Sequence, residues 1–432
     1  MNAIKILLIG SGGREHAFAW KLSQSNKCEK LFIAPGNAGT ISCGTNVDLN
    51  TDSFVEIKKF LLDNQITLVV VGPEGPLVSG LVDFIFHDSE LRNVSVIGPT
   101  QAGAFLEGSK NFAKEFMIVN KIPTAGYKTF TKETLVEGLR FLETLKPPYV
   151  LKADGLAGGK GVIIPTTLDQ AKIEFKEMIT SGKFGQAGNK VVIEEFLHGI
   201  ECSVFVLTDG VSYKILPEAK DYKRIGNGDI GLNTGGMGAV SPVSFVDERF
   251  MKKVESRIIQ PTMEGLKKSN IRYEGFIFIG LMNVEGEPYV IEYNVRMGDP
   301  ETEVVVPRIK NDLVELFNAV SKKELSKIEL EIDPRTFVTV MMVSGGYPGD
   351  YQKGKKITIE KSDNSLIFHA GTKMENGEVV TSGGRVLSVT SFGDSIEEAR
   401  EKSYRQIEMI HYDGMNFRTD IGSDLIKLND KA

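Results

Sequence analysis

Four short apolar runs punctuate the first hundred residues: IKILLIG, KLFIAPG, ITLVVVG and VSVIGPT. Each ends in Gly or Pro, and helix-like stretches separate them. This is the pattern of βαβ units in a parallel sheet covered on both faces. Ligands of such sheets sit beyond the strand C-termini. The loops GSGGREHA at 10–17, APGNAGT at 34–40 and GPEGPLV at 72–78 are therefore candidate binding loops.

Further along, EGSKNFAKEFMIVNKIPTAGY predicts one helix closed before Pro123. In YVLKADGLAGGKGVIIP two β-rich runs flank a loop holding Gly155, Gly158, Gly159 and Gly161, with Lys152 leading in and Lys160 inside. Asp154 stands where a Walker A loop needs its first glycine, and Gly161 follows the lysine, so the reading is a hairpin able to fold its amides over phosphates. VVIEEFLHGIE reads as a buried strand leaving its sheet at Glu194 and Glu195, with Glu201 seven residues beyond Glu194. DYKRIGNGDIGLNTGGMGAVSP, 221–242, holds six glycines and is read as a long functional loop. GFIFIGLMNVEGEPYVIEYNVR predicts an antiparallel hairpin turning at Glu285 to Pro288. Alternation then puts Ile291, Tyr293 and Val295 toward a core and Glu292, Asn294 and Arg296 on the other face. A carboxylate and an amide oxygen are hard ligands suited to Mg²⁺, which takes the rest of its shell from phosphates and water. An arginine one step on can neutralise charge developing on a phosphoryl or acyl group.

Composition narrows the partners. In 432 residues, 57 acidic side chains against 51 basic give a net charge of -6, which disfavours nucleic acid or an anionic membrane surface. The apolar start of MNAIKILLIG is too short for a signal or membrane segment, so a cytoplasmic, multidomain protein is expected. Cys28, Cys43 and Cys202 have neither disulfide nor zinc spacing. Gly10 and Gly12 match the start of a dinucleotide fingerprint, but Glu15 stands at its last glycine and no acid follows the second strand, so NAD is disfavoured. Gly12, Gly13, Arg14 and Asn37 are read instead as donors to a phosphate, and Glu74 as an acceptor from ribose hydroxyls. The competing reading of Glu74 is a cap on the helix beginning near Pro76.

The ordered set Lys110, Lys152 with DGLAGGKG, EEFLHGIE and EYNVRMGDPE resembles the ATP-grasp superfamily. With GSGGREHA, APGNAG, VGPEGPLV, LNTGGMGA, GGYPGDY, FHAGT, GGRVL and DIG added, the chain closely resembles, from residue 4 to about 422, the phosphoribosylamine-glycine ligase family. The resemblance implies an α/β and α+β multidomain fold: an N-terminal parallel α/β substrate-binding domain (1–104), an ATP-grasp domain (105–328) with a lid at about 123–190, and a small β-rich C-terminal domain (329–432). It implies ligation of glycine to 5-phosphoribosylamine with ATP as co-substrate, through a glycyl phosphate, and Mg²⁺ or Mn²⁺ on Glu292 and Asn294. ATP would meet Lys110, Lys152, Gly155, Gly158, Gly159, Lys160, Gly161, Glu194, Glu195, Leu197 and Glu201. Arg296, Asp221 and Asp299 would be catalytic, and Lys223, Arg224, Pro300 and Glu301 would join the N-terminal loops in binding substrate. A monomer acting on small molecules is expected.

Two departures stand out. Many ATP-grasp enzymes carry a second metal-binding acid about twelve residues before the Glu-x-Asn, where this chain has the apolar FIFIGLM. Lys220, Tyr222 and Leu232 replace residues usual before NTGGMGA. Another ATP-grasp ligase, an NAD-dependent oxidoreductase and a silent ATP-binding protein stay open as alternatives. The last is weakened by the presence of Glu292, Asn294 and Arg296 together.

Overall fold

The computed structural model describes residues 4–157, 161–181, 185–360 and 364–429. Its first sheet comprises β1 (Ile4–Gly10), β2 (Cys28–Pro35), β3 (Thr45–Asn46), β4 (Leu68–Val71) and β5 (Ser95–Ile97). The strands are parallel, in the order β3-β2-β1-β4-β5. Ile6, Leu7, Leu8 and Ile9 are all buried because both faces are covered, which is why β1 reads as an unbroken apolar run. The strand β3 has only two residues, too few for a periodic signal. Strand order reverses about β1, so the loops after β1, β2 and β4 share one crevice. The helix α1 (Gly13–Leu22) starts directly from the first of these.

The single helix expected before Pro123 is two, Gln101–Gly108 and Lys110–Val119. Ser109 between them is extended, and its hydroxyl caps the second helix by accepting from the Phe112 amide at 3.1 Å. Lys110 thereby becomes a first-turn residue.

A separate antiparallel sheet follows: β6 (Tyr127–Thr131), β7 (Tyr149–Ala153), β8 (Val162–Ile163) and β9 (Lys190–Glu195), ordered β6-β9-β7-β8. Two helices, Leu135–Thr144 and Leu168–Thr180, cover it, and Phe130, Leu142, Leu151, Phe175 and Ile193 form a core of its own. Its last strand runs to Glu195, a few residues past the expected end of the lid.

The largest sheet is built from β10 (Ile200–Thr208), β11 (Tyr213–Asp221), β14 (Gly238–Ser241), β15 (Gly275–Val284), β16 (Glu287–Asn294) and β17 (Thr336–Ser344), with a small hairpin of β12 (Arg224–Gly226) and β13 (Ile230–Asn233) beside it. The order β16-β15-β10-β11-β14-β17 continues into the strands Arg385–Gly393 and Ser365–His369. The β-rich C-terminal region thus extends the central sheet through the β14–β17 pairing. Among the described residues no helix is long and apolar enough to cross a membrane.

The structure corrects two expectations. The segment 221–242 is not an irregular loop but carries β12, β13 and β14. Gly228 lies in the turn between β12 and β13, and Arg418, almost fully buried, ties the segment down by donating to the Arg224 carbonyl and pairing with Asp229, each at 3.1 Å. In β16 the alternation is interrupted. Gly280 faces Glu292 while Leu281 faces Val290, leaving Ile291 as the extra residue of a β-bulge. Val290, Tyr293 and Val295 line the core, and Ile291 is only half-buried. The hairpin turns at Glu285 and Gly286, whose φ values of 52° and 84° suit a type I′ turn.

Candidate active site

Beyond the bulge, β16 places Glu292 and Asn294 on the face opposite the core, both half-buried. Among the described residues neither side chain has a hydrogen-bond or ion-pair partner, so two hard oxygen donors stand side by side with their capacity unused. The residue directly across the hairpin from Glu292 is Gly280. Among the described residues no cluster of three or more His, Cys, Asp or Glu is arranged to hold a metal. A cation here would take two protein oxygens and complete its shell from phosphates and water, which fits Mg²⁺.

Arg296, next on that face, is held from two sides. Its Nη2 donates to Glu107 Oε1 at 2.7 Å and its Nε to Glu74 Oε2 at 3.3 Å. Glu107 Oε2 also accepts from the Val295 amide at 2.8 Å. Burial pushes the Glu107 carboxyl up, against the opposing pull of Arg296. Glu74 is the first residue of the helix Glu74–Val78, so the helix-start reading describes its backbone position, while its side chain reaches Arg296.

The lid sheet approaches the same face through Lys152, and the helix Lys110–Val119 adds Lys110 and Lys114. Lys152 on β7 lies 3.0 Å from Glu194 Oε1 and donates to the carbonyl of the bulge residue Ile291 at 3.1 Å. Glu194, 3% exposed, is shared with Lys114 Nζ at 3.2 Å. Burial lowers the Lys114 ammonium to about 8, with Glu194 opposing. Lys110 Nζ donates to the Gly155 carbonyl at 2.9 Å, and burial lowers it as well. Gly155 has φ +134°, a conformation side chains rarely adopt, and Gly161 closes against Ala157. Gly158, Gly159 and Lys160 lie outside the described residues. Glu195 accepts from the Gly126 amide at 2.7 Å, and Leu197 is half-buried in the stretch joining lid to body. Glu201 takes Lys223 Nζ at 2.6 Å, and Lys223 lies 3.7 Å from Asp221. Burial raises the Asp221 carboxyl despite Lys223. Arg224 is turned to its own hairpin, donating to the Gly231 carbonyl at 2.8 Å.

At the N-terminal crevice several donors are already engaged. The Gly12 amide donates to Glu15 Oε2 at 2.6 Å. The Arg14 guanidinium, buried, reaches Glu15 Oε1 at 2.6 Å and the Met297 carbonyl at 3.1 Å. The Asn37 amide nitrogen donates to the carbonyls of Ser11 at 2.9 Å and His369 at 2.7 Å, so it ties loops together. Asp299 Oδ2 accepts weakly from the Arg14 amide at 3.4 Å, and its Oδ1 pairs with Arg385 at 3.0 Å. Pro300 packs against Gly236. Burial, with Asp221 next in effect, pushes Glu301 up to about 8. Glu303 is fully buried against Gly13, and among the described residues neither carboxyl oxygen has a hydrogen-bond partner. Burial, then Asp299, raises it well above the usual range.

The structure therefore gathers Glu292, Asn294, Arg296, Lys110, Lys152 and Glu194 around β16, and Asp299 with Arg14 at the crevice. Sequence reasoning missed Glu15, Glu107, Lys114, Glu303 and Arg385. Glu15 sits inside the first candidate loop, and Arg385 inside GGRVL. Nothing local to Glu107 or Lys114 distinguishes them from ordinary helix surface.

A small separate lid sheet, a central antiparallel sheet and paired lysines facing an acid-amide-arginine strand define an ATP-grasp enzyme. The family models described as phosphoribosylglycinamide synthetase match the chain in three parts: the N domain over residues 4–107, the ATP-grasp (A) domain over 108–302 and the C domain over 337–424. A phosphoribosylamine–glycine ligase of Pseudomonas aeruginosa is 44% identical over 425 residues, 97% of each chain. The crystal structure of the Thermotoga maritima phosphoribosylamine–glycine ligase superposes with a TM-score of 0.84 at 36% identity, covering 96% of this chain and 100% of that one. The biotin carboxylase domain of Hydrogenobacter thermophilus 2-oxoglutarate carboxylase shares the fold, at a TM-score of 0.73 and 16% identity, over 96% of this chain and 92% of that one. The chain belongs to the phosphoribosylglycinamide synthetase family.

Proposed function

We propose that this chain ligates glycine to 5-phosphoribosylamine with ATP, giving glycinamide ribonucleotide, ADP and phosphate, the second step of de novo purine synthesis. The observation that carries the site assignment is the Glu292–Asn294 pair, without a partner among the described residues, beside an anchored Arg296. Magnesium or manganese bound there would neutralise the terminal phosphates of ATP. Lys110 and Lys152 supply further positive charge from two elements, one in the body and one in the lid. Glu194 and Leu197 would meet adenine through their backbone, and Glu201 the ribose.

A carboxylate is a poor electrophile, so glycine needs activation as an acyl phosphate before an amine attacks. That intermediate is easily hydrolysed, and the lid sheet over the site would keep water out. Arg296 stabilises charge on the transferring group. Asp221 and Asp299, with Lys223 and Glu301 close by, would orient the two amines. The N-terminal crevice would hold the ribose phosphate, with Glu74 reaching a hydroxyl. Among the described residues the lid strands pair only with one another, which supports treating the lid as a subdomain, and a division of the chain near 104 and 328 belongs to the same proposal. We take the enzyme to be a cytoplasmic monomer, to be checked by sedimentation.

The test is product analysis with ATP, glycine and freshly made phosphoribosylamine. ADP and phosphate, released only when both co-substrates are present, are expected. AMP and pyrophosphate would refute the mechanism.

A further inference from the structure

Arg385 opens a strand of the C-terminal region, yet its guanidinium is committed to two segments far from that strand. Its Nη1 donates to the Asp299 carbonyl at 2.6 Å and to the Gly235 carbonyl at 2.7 Å, while Nη2 pairs with Asp299 Oδ1 at 3.0 Å. Gly235 lies flat against it: a side chain there would begin 2.9 Å from the guanidinium carbon. The Gly235 amide also donates to the Tyr347 hydroxyl at 3.0 Å, so a second C-terminal residue holds the same loop. The next residue, Gly236, has φ +121° and packs on Pro300. A planar fork that meets two carbonyls and a carboxylate at once fixes their relative positions in a way an ammonium cannot.

We propose that Arg385 is a positioning residue for the ligation, locking Asp299 and the 234–236 loop into one geometry. The proposal rests on the reading of Asp299 as part of the reaction site. Its second consequence concerns charge. Burial by itself would raise the Asp299 carboxyl, but Arg385, Arg14 and Arg296 together, with the Arg14 amide, outweigh burial and hold it below the usual range, Arg385 contributing most among them. Losing the guanidinium leaves a carboxylate that protonates at higher pH.

The experiment compares Arg385→Gln, Arg385→Lys and Asp299→Asn, reading Tm, the KM for ATP, and kcat/KM for glycine against pH with phosphoribosylamine generated in place. For Arg385→Gln we expect kcat/KM to fall about 10²-fold from misplacement. The acid limb should move up by about one pH unit, with the KM for ATP within about twofold of the parent. Arg385→Lys should keep the acid limb near its original position while losing rate, since charge is retained and the fork is lost. A folded Arg385→Gln enzyme whose acid limb does not move overturns the proposal. If that variant does not fold, full activity in Arg385→Lys overturns it instead. Normal kcat/KM in Asp299→Asn would sink the role of Asp299 itself, and with it this proposal. An impaired Asp299→Asn beside an unmoved Arg385→Gln profile sinks only the latter.

Discussion

Arg296 and Glu107, 189 residues apart in the chain, meet at 2.7 Å, and the same carboxylate takes the Val295 amide at 2.8 Å. One buried acid thus fixes the side chain of the residue proposed to stabilise the reacting charge and the backbone of the residue before it. Among the described residues, Glu107→Ala leaves that guanidinium with the Glu74 carboxylate and the Met297 carbonyl. A buried pair broken on one side typically loses about 3 kcal/mol or more of stability. We expect a clear drop in Tm together with a fall in kcat, measured on one preparation. Glu107→Gln keeps the shape but offers one acceptor to two donors, so it should lie between. Normal turnover in a folded Glu107→Ala would remove Arg296 from the reaction.

Glu292→Gln tests the metal face. The substitution keeps volume, and since the native side chain has no partner to lose among the described residues, Tm should stay unchanged. Turnover should fall by roughly 10² or more, as for loss of a preorganised electrostatic group. Unchanged kcat in saturating magnesium or manganese would refute the assignment.

Glu303→Gln should stabilise the protein. Burial holds the Glu303 carboxyl well above its ordinary value, so the folded state favours the neutral form while the unfolded chain ionises freely. The group's favourable contribution is complete below the unfolded value and is lost as pH rises toward the folded one. A neutral amide escapes that loss. The Tm of Glu303→Gln should therefore match the parent near pH 4 and exceed it increasingly toward pH 8. A pH-independent difference would show that Glu303 is ionised in the fold.

Glu74→Ala separates three roles. If the side chain serves only to accept from a ribose hydroxyl, its removal raises the KM for phosphoribosylamine and leaves kcat and the ATP KM near normal. A helix-start effect lowers Tm by the equivalent of about 0.3–1 kcal/mol without touching kinetics. Since Glu74 also pairs with Arg296, lowered kcat would instead assign it to orienting that guanidinium. We expect the first outcome, a raised KM for phosphoribosylamine with kcat within about twofold of the parent, read from steady-state kinetics and a melting curve together.

The chain order of the elements was legible because each apolar run records a local fact: β1 and β4 are covered on both faces, and the 275–294 hairpin turns where two residues take positive φ. That Glu292 and Asn294 share the face away from the core was legible for the same reason, since neighbours on one strand need only the strand's own period, and Arg296 follows two residues beyond the strand's end. The bulge at Ile291 was not, because it depends on which residue of β15 lies opposite. The strands inside 221–242 were hidden likewise: their pairing partners include β17, and Arg418 closes the hairpin from nearly two hundred residues away. Glu107 with Arg296, Asn37 with His369 and Arg385 with Asp299 bridge 189, 332 and 86 residues. No periodicity reaches that far. Whether a glutamate stands free beside an amide, pairs with an arginine or lies buried against backbone is decided by what the packed domains bring beside it, so among the described residues Glu292, Glu107 and Glu303 meet three different surroundings with the same side chain.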